Sequence, residues 1–180
     1  MVTLIGMGSG KWEALSAQAQ QAVRSAGLVF GAKRLLPADC TARQFALYQP
    51  ADILETLAQN PGQDAAVLYS GDTGFYSGAS GLLTPLRVLG IPARVYPGVS
   101  SIQLLSAALG RPWQDWKLVS AHGCACDPVA ECMQGRPTFF LTGGSEDPAT
   151  LCAQLAAEGF GKLAAAVGEN LGTPEQKVYT

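Results

Sequence analysis

The chain contains 180 residues with a formal net charge of −2; 14% of the residues are charged and 48% are hydrophobic. Nucleic acid is not an expected partner, because phosphate contacts require clustered Lys and Arg and this chain has no long basic run. No apolar stretch reaches the ~18 residues of a membrane span, and Val2–Ile5 is too short for a signal peptide, so we expect a cytoplasmic protein with no membrane partner. The charged fraction is below the roughly 25% of an average soluble domain, and the hydrophobic fraction of 48% indicates that a partner chain covers part of the surface.

Strands, glycine-rich turns and helices alternate along the first part of the chain. Strands are predicted at Val2–Ile5, Leu28–Phe30, Arg43–Leu47, Ala65–Ser70 and Arg94–Tyr96, and helices at Glu13–Ala26, Ala51–Asn60 and Ser77–Leu89. A further helix is expected after Ser100, which has Gln103 three residues later in a capping-box arrangement. This alternation predicts βαβ units and a mainly parallel sheet.

The pattern changes after Gly110-Arg111-Pro112. Strands are then predicted at Lys117–Ser120, Thr138–Leu141 and Leu163–Val167, with a helix at Ala149–Glu158. We therefore expect two α/β domains, residues 1–112 and residues 113–180, with a boundary at residues 110–116. The second domain is expected to lack its last edge, because the chain stops within a strand-like segment.

The first glycine-rich turn, Gly6-Met7-Gly8-Ser9-Gly10, follows a predicted strand and precedes a predicted helix. Glycines in such a turn let the main chain approach a ligand, and the start of a helix favours anionic or polar groups. NAD is disfavoured, because its fingerprint places the third glycine one position later and requires an acidic residue after the second strand. Here that strand leads into Gly31-Ala32-Lys33-Arg34. The motif alone fits a ligand-binding loop and a plain tight turn equally well.

Two further loops follow predicted strands, Gly71-Asp72-Thr73-Gly74-Phe75-Tyr76 and Tyr96-Pro97-Gly98-Val99-Ser100-Ser101. Open α/β sheets bind ligands at this end of their strands, so Asp72 is a candidate acceptor for a ribose or an amino group. Alternatively, Asp72 caps backbone N–H groups and Tyr76 packs in the core. Ser100 and Ser101 are expected to cap the following helix, and a capping hydroxyl can also contact a ligand.

The only histidine, His122, is close in sequence to Cys124, Cys126 and Cys132. This spacing disfavours a metal site, because zinc sites usually contain two matched C-x₂₋₄-C pairs. We therefore expect no bound metal, and His122 is expected to line a site or to make a core hydrogen bond. The five cysteines are an odd set without a secretory context and are predicted to be free thiols.

Taken together, the three strand-end loops resemble the tetrapyrrole methylase family, and the second loop matches the family pattern G-D-x-x-x-Y. Within the family, further segments resemble the subgroup that methylates carbon 5 of a precorrin or cobalt-precorrin on the way to cobalamin. These segments are Gly31-Ala32-Lys33-Arg34, Ser100-Ser101-Ile102-Gln103, Gly110-Arg111-Pro112-Trp113-Gln114-Asp115, Ser120-Ala121-His122-Gly123 and Gly168-Glu169-Asn170-Leu171-Gly172. The resemblance runs from residue 2 to about residue 176.

The resemblance implies two α/β domains with S-adenosylmethionine in the cleft between them, S-adenosylhomocysteine as product, and a homodimer with a possible decarboxylating methyltransferase as partner. The residues implied to bind the donor are Gly6, Gly8, Gly10, Gly71, Asp72, Tyr76, Ser100, Ser101, His122, Thr142 and Gly143. The carboxylates of the tetrapyrrole substrate would be bound by basic residues, and the candidates are Lys11, Lys33, Arg34 and Arg111. The alternative for each of these four is a solvated surface charge.

No catalytic acid or base is assigned, because methyl transfer from a sulfonium depends mainly on alignment and on exclusion of water. Two residues depart from the family pattern: Leu35 replaces an expected histidine, and Cys124 replaces an arginine that often follows His122-Gly123. The competing hypotheses are a related methylase with another acceptor, such as an earlier precorrin, diphthamide or ribosomal RNA, and a nucleotide-binding module without catalysis. A third, an NAD-dependent oxidoreductase, is weakened by the missing acidic residue.

Overall fold

Buried apolar strands form the centre of a parallel sheet in the computed structural model, which describes residues 1–180. The strands are β1 (Val2–Gly6), β2 (Leu28–Gly31), β3 (Arg43–Phe45), β4 (Ala65–Tyr69) and β5 (Ala93–Tyr96). They lie in the order β3-β2-β4-β1-β5, and every neighbouring pair is parallel. Every residue of β1, β2 and β4 is buried, which explains their nearly continuous apolar sequences. The predicted α/β fold with a parallel sheet is confirmed.

Both faces of this sheet are covered, and alternate residues of each strand point to opposite faces. Leu4 belongs to the core cluster that includes residues of α2 (Pro50–Ala58) and α3 (Ala79–Val88). Ile5, the next residue, belongs to the cluster that includes residues of α1 (Ala17–Ser25). The sheet therefore separates two apolar layers, and its position is determined by burial on both sides.

The first helix begins later than the sequence predicts. The segment predicted as the start of the helix contains a short 3₁₀ turn, Trp12–Ala14, and α1 starts only at Ala17. Ser16 is the N-cap of this helix, and the backbone N–H of Ala19 donates to the Ser16 hydroxyl oxygen at 3.2 Å. The cap satisfies one of the otherwise unpaired N–H groups of the first turn.

The chain divides into two compact units, Met1–Ser100 and Ser101–Thr180. The second unit contains α4 (Ser101–Leu109), β6 (Lys117–His122), α5 (Pro128–Cys132), β7 (Thr138–Gly143), α6 (Pro148–Ala157), β8 (Val167–Glu169) and β9 (Lys177–Tyr179). The strands β6 and β7 are parallel, whereas β8 and β9 form an antiparallel pair. The division lies before α4, whereas the sequence places the domain boundary after it.

Some predicted elements of the second unit are wrong. The strand predicted at Leu163–Val167 is absent, because only Val167 of that segment belongs to a strand, at the start of β8. The short helix α5 was not predicted, although Asp127 caps it by accepting the N–H groups of Val129 and Ala130, both at 3.0 Å. No helix in either unit has the length and apolar character that crossing a bilayer requires. All five cysteines are free thiols.

Replacing Leu4 by alanine is expected to reduce the free energy of unfolding by about 2–5 kcal/mol, because it leaves a cavity between strands that are buried on both faces. Leu4 is fully buried, whereas Leu89 in the same unit is 60% exposed. Leu89→Ala is the matched control and should change stability by at most about 0.5 kcal/mol. Urea unfolding of both variants measures the difference, and equal losses would contradict this assignment of the core.

Candidate functional site

Three strand-end loops of the first unit meet at one edge of the sheet. The strands β4, β1 and β5 are adjacent and parallel, so their carboxyl ends lie side by side. Beyond the strands, Gly8 and Gly71 exchange two backbone hydrogen bonds, in which the N–H of Gly8 donates to Gly71 at 3.0 Å and the N–H of Gly71 donates to Gly8 at 2.9 Å. These bonds join the loop after β1 to the loop after β4 and satisfy main-chain groups that would otherwise be unpaired.

Main chain packs directly on main chain where these loops cross, at a set of residues that we call the glycine junction (Gly6, Gly71 and Gly98). A Cβ atom on Gly6 would lie 2.5 Å from the backbone nitrogen of Gly98 and 2.7 Å from the carbonyl oxygen of Gly71. A Cβ atom on Gly98 would overlap the carbonyl oxygen of Gly71 and the backbone of Gly6. Gly6 and Gly98 must therefore be glycine for reasons of space.

Asp72 connects the loop after β4 to the loop after β5. Its Oδ1 accepts the backbone N–H of Gly98 at 3.1 Å, and its Oδ2 accepts the N–H of Gly74 at 2.9 Å. The alternative in which Asp72 caps backbone N–H groups is thus present in the structure. Since each carboxylate oxygen has more than one lone pair, the same side chain retains capacity to accept a hydrogen bond from a ligand.

Tyr76 has a backbone conformation that non-glycine residues seldom adopt, with φ of +46°. Its side chain is 50% exposed, so the alternative in which it packs in the core is wrong. The Phe75 ring lies edge-on to it, with the ring centroids 4.8 Å apart. Uncommon backbone conformations of this kind are concentrated at functional sites, which is consistent with a ligand-binding role for the loop.

Three cationic side chains lie on the loops that flank the one after β4. Lys11 follows β1, while Lys33 and Arg34 lie in a 3₁₀ turn that follows β2. All three are exposed, and none forms an ion pair. Nη2 of Arg34 donates a hydrogen bond to Oγ of Ser70, which links this guanidinium to the end of β4. None of these three cations is paired with a carboxylate, and such unpaired cations favour an anionic ligand.

The site residues predicted in the second unit lie at the corresponding edge of its own parallel strands. His122 ends β6 and pairs in register with Gly143 at the end of β7. Nδ1 of His122 lies 3.3 Å from the carbonyl oxygen of Thr142, which indicates that Nδ1 carries the proton and donates it to that oxygen. A Cβ atom on Gly143 would overlap the imidazole. The structure thus brings His122, Thr142 and Gly143 together.

The remaining predicted residues occupy separate positions. Ser100 ends the first unit and is 4% exposed, while Ser101 is the first residue of α4. The capping box formed by Ser100 and Gln103 stays a prediction. Arg111 follows α4 in the second unit and is exposed; its carbonyl oxygen accepts the Ser106 hydroxyl, and its side chain forms no ion pair.

The cysteines near His122 do not form a metal centre. The structure brings no three His, Cys, Asp or Glu side chains into one group that could hold a metal ion. Burial raises the pKa of the Cys126 thiol, and the negative charge of Glu146 raises it further. Burial also raises the pKa of Cys132.

Sequence reasoning missed two residues of the first-unit site. The sequence places Gly98 in the loop after β5 but does not indicate that its backbone fits between Gly6 and Gly71. Ser70 was treated as the last residue of a strand, and nothing in the sequence indicated its hydrogen bond to Arg34.

The chain also matches known proteins over its whole length. A family model described as Tetrapyrrole (Corrin/Porphyrin) Methylases matches residues 1–180. The cobalt-precorrin-7 C(5)-methyltransferase of Salmonella typhimurium is 28% identical over 182 residues, which cover 99% of this chain and 89% of that protein. The precorrin-6Y C(5,15)-methyltransferase (decarboxylating) of a Sinorhizobium species is 30% identical over 185 residues, which cover 99% of this chain and 44% of that protein.

A solved structure has the same fold. The uroporphyrin-III C-methyltransferase of Thermus thermophilus, complexed with S-adenosylhomocysteine, superposes with a TM-score of 0.74 at 21% sequence identity. The superposition covers 99% of this chain and 81% of that chain.

Replacing Gly98 by alanine is expected to destabilise the first unit by about 1–3 kcal/mol, because the added methyl group overlaps backbone that cannot move independently. The backbone of Gly98 is not in the left-handed region, so the expected loss is steric. Gly81→Ala is the control: it lies inside α3, where a Cβ would meet Pro50 at an ordinary 3.5 Å. Thermal unfolding should show Gly81→Ala unchanged or slightly stabilised, and an equally stable Gly98→Ala would rule out the glycine junction.

Proposed function

The chain belongs to the tetrapyrrole methylases, and from this premise we propose that it transfers a methyl group from S-adenosylmethionine to carbon 5 of a precorrin or cobalt-precorrin in cobalamin biosynthesis. The observation that carries the proposal is the junction of three loops at the edge formed by β4, β1 and β5. The choice of carbon 5 is supported by the two relatives named for that position, each of which matches 99% of this chain.

The residues of the first-unit edge fit the proposed methyl donor. A Cβ atom on Gly71 would meet nothing within 4 Å, so a ligand can approach the main chain there. The two Asp72 oxygens hold the loops in place and retain capacity to accept from a ribose hydroxyl or an ammonium group. The proposed donor-binding set comprises Gly6, Gly8, Gly10, Gly71, Asp72, Tyr76 and Ser100 from the first unit, and Ser101, His122, Thr142 and Gly143 from the second.

The flanking cations fit the proposed substrate, a macrocycle with several carboxylates. Lys11, Lys33 and Arg34 are free of ion pairs, so no protein carboxylate competes with the substrate for them. The Ser70 hydroxyl uses one Arg34 donor and leaves the others for a carboxylate. Arg111 is proposed as a further substrate contact from the second unit.

The proposed reaction requires alignment more than acid–base chemistry. When bound, the donor supplies an electrophilic methyl group on a sulfonium; the carbon–sulfur bond breaks as the new carbon–carbon bond forms at an electron-rich ring carbon. The protein groups would hold the two reactants in line and keep water away, and such positioning can supply a large part of the rate enhancement. His122 has its Nδ1 engaged with Thr142, and we assign it to lining the site.

The assembly is also part of the proposal. We propose a cytoplasmic homodimer, in keeping with the low charged fraction of 14%. The chain spans 44% of the Sinorhizobium relative, whose name includes a decarboxylating activity and a second methylation position. We propose that a decarboxylating methyltransferase acts together with this chain, either on the same polypeptide or as a separate partner.

Calorimetric titration with S-adenosylhomocysteine tests donor binding directly. We expect one site per chain with micromolar affinity, about −8 kcal/mol, and no heat with NADH. Binding of S-adenosylhomocysteine without methylation of any tetrapyrrole would favour a nucleotide-binding module without catalysis, and turnover of another acceptor would favour a related methylase. Binding of NADH alone would contradict the proposal.

Charge reversal at Arg34 distinguishes substrate binding from donor binding. Arg34→Glu is expected to raise the KM for the precorrin substrate by about 10–100-fold, the equivalent of one charged hydrogen bond, while the affinity for S-adenosylhomocysteine stays unchanged. Arg87→Glu, an exposed charge reversal on α3, is the control and should leave both values unchanged. An unchanged KM for Arg34→Glu would show that Arg34 is only a solvated surface charge.

A further inference from the structure

The turn after β7 carries a glutamate that has no role in the proposed site. Glu146 is half-buried, and its Oε2 is shielded from solvent without accepting a hydrogen bond. Neither ion pair of the chain includes Glu146. A buried carboxylate oxygen without a partner costs free energy, and native proteins leave few such atoms unpaired. The free protein therefore leaves this oxygen without the partner that its burial requires.

The other acidic side chains between β6 and α6 have partners within the protein. Asp127 caps α5, and Asp147 caps α6 by accepting the N–H of Thr150 at 2.7 Å. Glu131 forms an ion pair with Lys117. These three carboxylates therefore stabilise the second unit itself. Glu146 differs from them, because it keeps a buried oxygen that no protein group uses.

Backbone contacts place Glu146 at the second-unit edge that contains His122, Thr142 and Gly143. The N–H of Gly143 donates to the carbonyl oxygen of Glu146 at 3.2 Å, which closes a tight turn after β7. Gly143 also pairs in register with His122 at the end of β6. Glu146 is thus a direct neighbour of residues that we propose to bind the methyl donor.

The segments around Glu146 contain no cation to pair with it. After burial, the charge of Glu146 is the next cause that raises the pKa of the Cys126 thiol, so the carboxylate lies near the loop that follows β6. The remaining groups that shift this pKa are a thiol and two carboxylates, Cys124, Glu131 and Asp127. Residues 118–135 and 137–161 include neither Lys nor Arg. Such surroundings favour a cationic ligand group.

We propose that Glu146 binds a positively charged group of the methyl donor, either its ammonium or its sulfonium. The inference rests on the proposed function and adds one residue to its donor site. The buried oxygen then obtains its partner only in the complex, and the charge of the carboxylate makes the contact stronger than a neutral hydrogen bond. The free protein is less stable for carrying this group, a cost that is common at binding sites.

Glu146→Gln tests the contact, because it keeps the size of the side chain and removes the charge. Calorimetric titration should show the affinity for S-adenosylmethionine lowered about 10–100-fold, the equivalent of one charged hydrogen bond. S-adenosylhomocysteine lacks the sulfonium charge but retains the ammonium. An equal loss for both ligands would identify the ammonium as the partner, and a loss confined to S-adenosylmethionine would identify the sulfonium.

Three controls separate this contact from a structural role. Glu158→Gln removes an exposed carboxylate from the same unit and should leave both affinities unchanged. 5′-Methylthioadenosine has neither cation, so Glu146→Gln should bind it as wild type does. Thermal unfolding should show the free Glu146→Gln protein to be at least as stable as wild type, because the variant removes an unpaired, partly buried charge.

Unchanged affinities for both donor ligands in Glu146→Gln would overturn the inference, and so would an equal loss for 5′-methylthioadenosine. A less stable free variant would show that Glu146 already has a partner within the protein and would also overturn it. These results leave the methylase function standing as long as wild type binds S-adenosylhomocysteine. A wild-type protein that binds neither donor ligand would instead refute the proposed function itself.

Discussion

Main chain packed against main chain at the carboxyl edge of β4, β1 and β5 determines where every other part of the first-unit site can lie. The three strands are neighbours in the sheet. Gly6 ends β1, and Gly71 and Gly98 lie two residues after the ends of β4 and β5. Gly6 and Gly98 approach each other so closely that a single methyl group would overlap backbone atoms. Because backbone atoms belong to the rigid strands beneath them, this contact cannot relax by a change of rotamer.

The side chain of Asp72 is positioned by the glycine junction, and its hydrogen bond to Gly98 also stabilises the junction. Its carboxylate accepts from Gly74 at 2.9 Å within its own loop and from Gly98 at 3.1 Å in the loop after β5. The Gly98 donor is within reach because the two loops cross at the glycine junction. A carboxylate that is fixed by backbone donors needs no rearrangement when a ligand arrives, and such preorganisation lowers the entropic cost of binding. The cations follow a different principle: Lys11 and Lys33 are solvated and adjustable, which suits long-range attraction of a large anion more than exact placement.

The strands and helices that are predicted best from the sequence are those for which one physical requirement dominates. β1 and β4 were found because burial on both faces demands an unbroken apolar segment. The predicted start of α1 is too early because Leu15 continues the helical spacing, whereas Leu15 caps the end of the preceding 3₁₀ turn and Ser16 caps the start of the helix. Sequence periodicity records which side chains are buried, and Leu15 is buried without being helical. The same limitation applies to Leu163–Val167, an apolar segment of which only the last residue lies in a strand.

The residues of the candidate site could be predicted where they belong to a short motif of neighbouring residues. The glycines of the first two loops could be recognised, since tight turns after strands require them. The role of Asp72 as a connection between loops was not predictable, because Gly98 lies 26 positions further along the chain and only the fold brings the two together. Ser70 is a similar case, since its hydrogen bond to Arg34 joins residues that are 36 positions apart.

The two departures from the family pattern have different physical consequences. Leu35 is 4% exposed in the core cluster under α1, and a Cβ on Gly10 would lie 3.6 Å from its side chain. At this position the chain therefore supports the first glycine loop by apolar packing, and a histidine would have to bury its polar nitrogens or leave the core. Cys124 is exposed, and its thiol donates to the carbonyl oxygen of Ser120 in β6 at 3.2 Å. The side chain therefore supplies no positive charge at this position. In the proposed function, the absence of a cation at that position leaves substrate binding to Lys11, Lys33 and Arg34 of the first unit and to Arg111 of the second unit.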